Sequence, residues 1–205
     1  MKKILLTSAG FENPKIGKEF LNVVGKPSSE IKVLFIPTAS RTEEELSYVE
    51  ESRKELLDLG IKKENIFDYN LDREISEEEL EKIDVLYVCG GNTFYLLYKI
   101  REKEFDKKII DLVNNEIVYV GASAGSILLG PNIEIAEIGQ DGDKNDMGLK
   151  DFSGLNLTDK IISPHYTIKE EEIIKNFEKE NGKKITRLKD NQAILILGNE
   201  TKIIE

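Results

Sequence analysis

Val118-Tyr119-Val120-Gly121-Ala122-Ser123-Ala124-Gly125-Ser126-Ile127-Leu128-Leu129-Gly130 is the stretch on which the reading of this chain turns. An apolar run rich in valine enters a Gly-Ala-Ser-Ala-Gly turn and leaves it as a short apolar helix. Strand, sharp turn and helix in that order form the context of a nucleophile elbow, where small neighbours let the backbone bend tightly and expose the serine hydroxyl. The turn also sets the amide of Ala124 at a helix N-terminus, which favours a developing negative charge. The plainer alternative is a Gly- and Ala-rich turn in which Ser123 only caps the helix. Ser126, the rival hydroxyl, falls about one turn inside the helix and is expected to pack against the sheet.

Outward from this turn, short apolar runs recur at Lys3 to Thr7, Val33 to Pro37, Asn65 to Tyr69 and Val85 to Cys89, with Ile117 to Gly121 leading into the turn itself. Their Ile, Val and Leu residues are consecutive instead of alternating, the mark of strands covered on both faces and therefore of a parallel sheet. Between them lie helix starts. Thr42 with Glu45, Ser76 with Glu79 and Thr167 with Glu170 fit capping boxes, in which side chains satisfy the orphan amides of the first turn. Leu46, Val49, Leu56 and Leu57 place an apolar stripe on the first helix, and Gly60 supplies its stop; Ile173, Ile174 and Phe177 do so for the last, ended by Asn181-Gly182. The alternation predicts an α/β fold, a doubly wound, mostly parallel sheet flanked by helices, with its binding crevice at the carboxyl ends of the strands. Beyond Pro131 the candidates Ile133 to Ile138, Lys160 to Ser163, Ala193 to Leu197 and Lys202 to Ile204 are shorter, and some are expected to be antiparallel additions. No repeat or linker divides the chain, so residues 1–205 are expected to form one domain.

Composition narrows the function. Thirty-nine Asp and Glu against 29 Lys and Arg give a net charge of −10, which repels phosphate backbones and anionic lipid, so neither nucleic acid nor membrane is an expected partner. The acidic clusters Glu43-Glu44-Glu45 and Glu77-Glu78-Glu79 sit at helix starts, where the macrodipole accounts for them. One cysteine and one histidine leave no disulfide framework and too few soft ligands for zinc or iron-sulfur. Met1-Lys2-Lys3 followed by Ile4-Leu5-Leu6 begins like a secretory leader, but Thr7 and Ser8 end the apolar run too soon. A soluble, cytoplasmic protein is expected.

A serine hydroxyl needs a neighbouring base, and His165 is the only histidine. It follows the strand candidate Lys160 to Ser163 and precedes a capped helix, which sets it in a loop at the edge of the sheet where Ser123 is expected. Cys89-Gly90-Gly91-Asn92-Thr93-Phe94 is a second glycine turn between strand and helix. Gly91 is there a candidate oxyanion donor, against the alternative of an ordinary turn capped by Asn92 or Thr93. Cys89 itself is expected to pack in the sheet. Asp141-Gly142-Asp143-Lys144-Asn145-Asp146 imitates the opening of a calcium loop and then fails, with Asp146 where the turn needs glycine and Phe152 at the bidentate position.

Taken together, Gly90-Gly91-Asn92-Thr93-Phe94, Gly121-Ala122-Ser123-Ala124-Gly125-Ser126, Asn145-Asp146-Met147 and Pro164-His165-Tyr166 resemble, in order and spacing, the peptidase E (aspartyl dipeptidase) group of serine peptidases, peptidase family S51. The resemblance spans most of the chain. It implies a fold related to the class I glutamine amidotransferases, hydrolysis of short peptides without a cofactor, Ser123 as nucleophile, His165 as general base, and the amides of Gly91 and Ala124 as the oxyanion hole. The acid that orients His165 is either Asp146 or Asp190, and Asp146 is the choice because its Asn-Asp-Met motif is the better match; Asp190 reads as a solvated turn before a strand. The group's taste for an N-terminal aspartate would need a cation, for which Arg41 is the candidate. The other function class is a binding or regulatory module that kept the fold and lost turnover. A monomer or a homodimer is expected.

Overall fold

The computed structural model describes residues 1–139 and 142–205. Strands β1 (Lys3–Thr7), β2 (Val33–Ile36), β3 (Ile66–Asp68), β4 (Val85–Val88) and β5 (Val118–Ala122) are parallel, while β8 (Ala193–Leu197) and β9 (Glu200–Ile204) continue the sheet antiparallel. The order across the sheet is β3-β2-β4-β5-β1-β8-β9. Every residue of β2, β4 and β5 is buried. Alternate side chains serve opposite faces: Leu34, Ile36, Leu86, Val88 and Tyr119 join one core, Phe35, Val85, Tyr87, Val118 and Val120 the other. Two cores on one sheet are the reason that these runs are apolar at consecutive positions.

Helices α1 (Pro14–Val24) and α2 (Glu43–Asp58) cover the second core through Ile16, Phe20, Val49 and Leu56. On the opposite face lie α4 (Thr93–Glu102), α5 (Phe105–Asn114), α6 (Ala124–Leu128) and α7 (Glu171–Asn181), with the one-turn α3 (Glu77–Leu80) contributing Leu80. The capping boxes of Thr42 and Ser76 start α2 and α3; that of Thr167 starts a 3-10 turn leading into α7, which ends at Gly182 in the left-handed region.

Several expectations need correction. In α2 only Val49 and Leu56, seven residues apart and so on one face, are buried, whereas Leu46 and Leu57 are exposed; in α7 Ile174 is buried and Ile173 is not. Ile133 to Ile138 contains a 3-10 turn (Glu134–Glu137) instead of a strand, because the Asn132 side chain accepts from the Glu134 amide and curls the chain. Strand β6 (Ile161–Ser163) stays outside the main sheet and pairs in parallel with β7 (Ile185–Arg187), whose polar surroundings hide it from an apolar pattern. Helix α1 also goes unread in the sequence: Asn13-Pro14 looks like a turn, but Asn13 caps the helix and Pro14 occupies its first position. Among the described residues no helix is long and apolar enough to cross a membrane.

Candidate active site

Strand β5 delivers Ser123 at its carboxyl end with φ 48° and ψ −108°, outside the comfortable regions for an L residue. Such backbone costs roughly 1–3 kcal/mol and persists only where its surroundings hold it. Here the Ser123 amide donates to the Thr7 carbonyl at 3.1 Å, and the Ser123 carbonyl accepts from Ser126 and Ile127 at 2.8 and 3.1 Å. At Gly125 a β-carbon would run into the Val88 carbonyl, so only glycine lets α6 turn back this close to β4. Ser126 is buried, its hydroxyl proton shared between the carbonyls of Thr7 at 2.8 Å and Gly121 at 2.7 Å. That hydroxyl ties the elbow to β1 and faces no cleft.

His165 follows β6 in a left-handed conformation, φ 55°. Its Nε2 lies 3.0 Å from Ser123 Oγ, and its Nδ1 lies 2.6 Å from Asp190 Oδ1. Asp190 reaches the ring because β8 is antiparallel to β1, pairing Thr7 with Ala193. The start of β8 therefore stands at the same sheet edge as the ends of the parallel strands. Leu188 N donates to the Ser163 carbonyl and Tyr166 N to the Leu188 carbonyl, binding the two loops together. Ser8 completes the arrangement. It is fully buried at the end of β1, donates to Asp190 Oδ1 at 2.9 Å, and accepts from the His165 amide at 2.6 Å. In the sequence, Ser8 is marked only as a hydroxyl that follows a central apolar run.

Asp146, the preferred acid from the sequence, is not beside His165. It is exposed and pairs with Arg41 at 3.8 Å, while Arg41 lies over the Tyr95 ring at 4.4 Å. The reason is local: the Asn145 side chain bonds both the amide and the carbonyl of Leu149, closing a small turn that is fastened near α4 by the Asn92 side chain on the Lys144 carbonyl. Of the calcium-like stretch, Asp141 lies outside the described residues, and among those described no group of three His, Cys, Asp or Glu could hold a metal ion. Cys89 is buried, and burial pushes its thiol pKa well up.

A cleft of about 780 Å³ opens on Ser123 and His165, lined also by Gly91, Ile127, Ile135 and Asp143. Gly91 has φ 120°, and a β-carbon there would strike the backbone of Ala39. The preceding carbonyl, Gly90, accepts from Ser40 Oγ at 2.9 Å, so the trans peptide turns the Gly91 N–H to the opposite side. Neither that amide nor the one at Ala124, first residue of α6, has an acceptor among the described residues. A polarised hydroxyl at the cleft, with uncommitted amides at Gly91, which lines it, and at Ala124, which adjoins Ser123 in the chain, can attack a carbonyl and hold the resulting oxyanion.

The chain is 34% identical over 204 residues to an uncharacterized peptidase of Listeria monocytogenes, covering 98% of this chain and 97% of that one. It is 34% identical over 177 residues to peptidase E of a Nostoc species, covering 81% of this chain and 66% of the relative. The crystal structure of a candidate peptidase E from Listeria monocytogenes superposes with a TM-score of 0.82 at 32% identity, over 100% of this chain and 98% of the other. A peptidase from an acI-B1 actinobacterium shares the fold, with a TM-score of 0.67 at 14% identity, covering 100% and 87%. The profile of peptidase family S51 matches residues 4–204, and this chain, a peptidase, belongs to that family.

Proposed function

We propose that the cleft hydrolyses short peptides by acyl transfer through Ser123, His165 and Asp190. His165 Nε2 takes the hydroxyl proton as Ser123 Oγ attacks the scissile carbonyl. Asp190 accepts the Nδ1 proton, which keeps Nε2 free to accept and steadies the imidazolium once it forms. The amides of Gly91 and Ala124 receive the oxyanion, His165 returns its proton to the leaving amine, and water then opens the acyl-enzyme by the same route. The observation that carries this reading is the unbroken line from Asp190 Oδ1 to His165 Nδ1 at 2.6 Å and from His165 Nε2 to Ser123 Oγ at 3.0 Å.

A preference for N-terminal aspartate is not part of the proposal. Arg41, its candidate anchor, is engaged by Asp146 and by the face of Tyr95. The test is labelling with a neutral fluorophosphonate followed by peptide mass mapping. Label on Ser123 that disappears in His165→Gln supports the assignment; no label, or label elsewhere, rejects it.

A further inference from the structure

The cleft contains a carboxylate for which the protein supplies no ion-pair partner. Asp143 lines it together with Ser123 and His165, and its Oδ2 accepts from the Thr93 amide at 2.7 Å. No Lys, Arg or His among the described residues stands within ion-pair distance of Asp143, and the two residues outside the description, Gln140 and Asp141, are not cations. Arg41 pulls on this carboxylate only from a distance, being paired with Asp146, while Glu45 pushes against it. Burial dominates and raises the Asp143 pKa. The neighbouring wall is apolar, formed by Ile127, Ile135 and Ile138. Of the other charged groups lining the cleft, Glu170 is occupied by the Thr167 amide and Lys169 sits on the exposed rim.

A half-desolvated carboxylate on an apolar wall is costly to keep unless a partner arrives. Among carboxylates away from the cleft, Glu171 and Glu178 are both matched by Arg187, whereas Glu55 is held by the Phe11 amide with no cation among the described residues. The N-terminus of α4 offers Asp143 a partial positive charge through the Thr93 amide, and a full positive charge can come only from a ligand in the cleft. We propose that Asp143 is the specificity carboxylate of this site and binds a positively charged nitrogen of the peptide substrate. That nitrogen is either the peptide's own amino terminus or the side chain of a lysine or arginine beside the scissile bond. An acidic side chain in the same place meets a like charge in a poorly screened setting, so aspartyl and glutamyl peptides are disfavoured. The inference rests on Ser123 being the nucleophile.

Two matched comparisons separate the sources of the charge. The first measures kcat/KM for short neutral peptides with a free against an acetylated amino terminus. The second uses acetylated peptides with lysine or arginine against norleucine at the residue that supplies the scissile carbonyl. The cationic member is expected to win by about 10- to 100-fold in one of the two series, the range of a hydrogen bond to a charged group. Asp143→Asn, which keeps an acceptor for the Thr93 amide, should bring that ratio to near one, and Asp143→Lys should turn the preference toward glutamate. A ratio near one in both series for the unaltered protein overturns the proposal, as does a cation preference that survives in Asp143→Asn. Fluorophosphonate labelling runs alongside. If Ser123 labels while the cation preference is absent, this inference fails alone; if Ser123 does not label, the proposed function fails with it.

Discussion

Replacing Asp190 by asparagine removes a charge from beside the imidazole and leaves the shape almost unchanged. The His165 and Asp190 side chains are each 52% exposed, so their interaction falls between the limits for water and for a partly buried pair. At a separation of charge centres of ~4 Å those limits are about 1 and about 4 kcal/mol. A loss of about 2–3 kcal/mol in stabilising the imidazolium corresponds to a rate lower by roughly 30- to 160-fold. The loss stops there because of Ser8, whose hydroxyl already accepts from the His165 amide and must place its proton on Asp190 Oδ1. In Asp190→Asn that proton selects the amide oxygen, not its NH₂, at the position facing Nδ1, and the productive tautomer survives. Removing Ser8 as well frees the amide to turn. Its NH₂ then opposes Nδ1, the ring proton moves to Nε2, and the serine loses its base. A fall approaching 10⁴-fold is expected in Ser8→Ala/Asp190→Asn, the scale of a triad acid changed to asparagine with the tautomer inverted. Ser8→Ala alone should cost about five- to tenfold, the worth of one hydrogen bond. The measurement is the second-order rate of fluorophosphonate labelling near neutral pH, read by intact mass, arranged as a double-mutant cycle. Asp190→Asn within threefold of the unaltered protein, or a double variant equal to the product of the singles, refutes the reasoning. So does an equal loss in Asp146→Asn.

Ser123→Ala should abolish labelling and hydrolysis while moving the melting temperature by no more than a few degrees, since one removed hydroxyl opens no cavity. Ser126→Ala should do the reverse, keeping Ser123 reactive and lowering stability by about 0.5–1.5 kcal/mol in urea titrations, since the two buried carbonyls lose this donor but keep the Ser123 amide and the Thr7 hydroxyl. Gly125→Ala forces a β-carbon against the Val88 carbonyl and should destabilise by about 1–3 kcal/mol while slowing labelling. Bonds from Tyr166 and then Arg187 hold the Glu171 pKa down to about 2. The folded value lies below the unfolded one, so this stabilisation is complete above the ordinary carboxylate range and fades as pH falls from there toward about 2. The melting-temperature gap between the unaltered protein and Arg187→Gln should accordingly close over that interval, and a constant gap would contradict the linkage.

The central sheet was legible because both its faces are covered, which writes Val33 to Pro37 and Val85 to Cys89 as unbroken apolar runs. The elbow was legible because its chemistry is local, five consecutive residues forming one turn. The carboxylate beside His165, the acid of the proposed mechanism, was not, since its position depends on strand direction. Asp190 reads as a solvated turn ahead of Ala193 to Leu197, and that is what an aspartate before a parallel strand would be, at the far edge from the crevice. Antiparallel pairing of β8 with β1 reverses the edge and brings the same turn to His165. Sequence separation hid Ser8 in the same way, its two partners lying 157 and 182 residues away. Helix ends fared better than helix faces. Capping is settled within four residues, whereas burial of Val49 but not Leu46 depends on where the helix lies on the sheet.

Ser123 and His165 both have left-handed backbone, at φ 48° and 55°, in a chain where six such non-glycine residues are described. The strain at each is roughly 1–3 kcal/mol, and glycine would relieve it at an entropic cost of about 0.5–1 kcal/mol. Glycine at either position should therefore make the chain more durable while removing the chemistry proposed for it. Drift toward glycine at either position is favoured by folding and opposed by the turnover proposed for these two residues. Populations of this gene released from selection for hydrolysis should thus lose the elbow serine and the loop histidine early, while Thr7, Ser126 and Gly125, which serve the fold, stay in place.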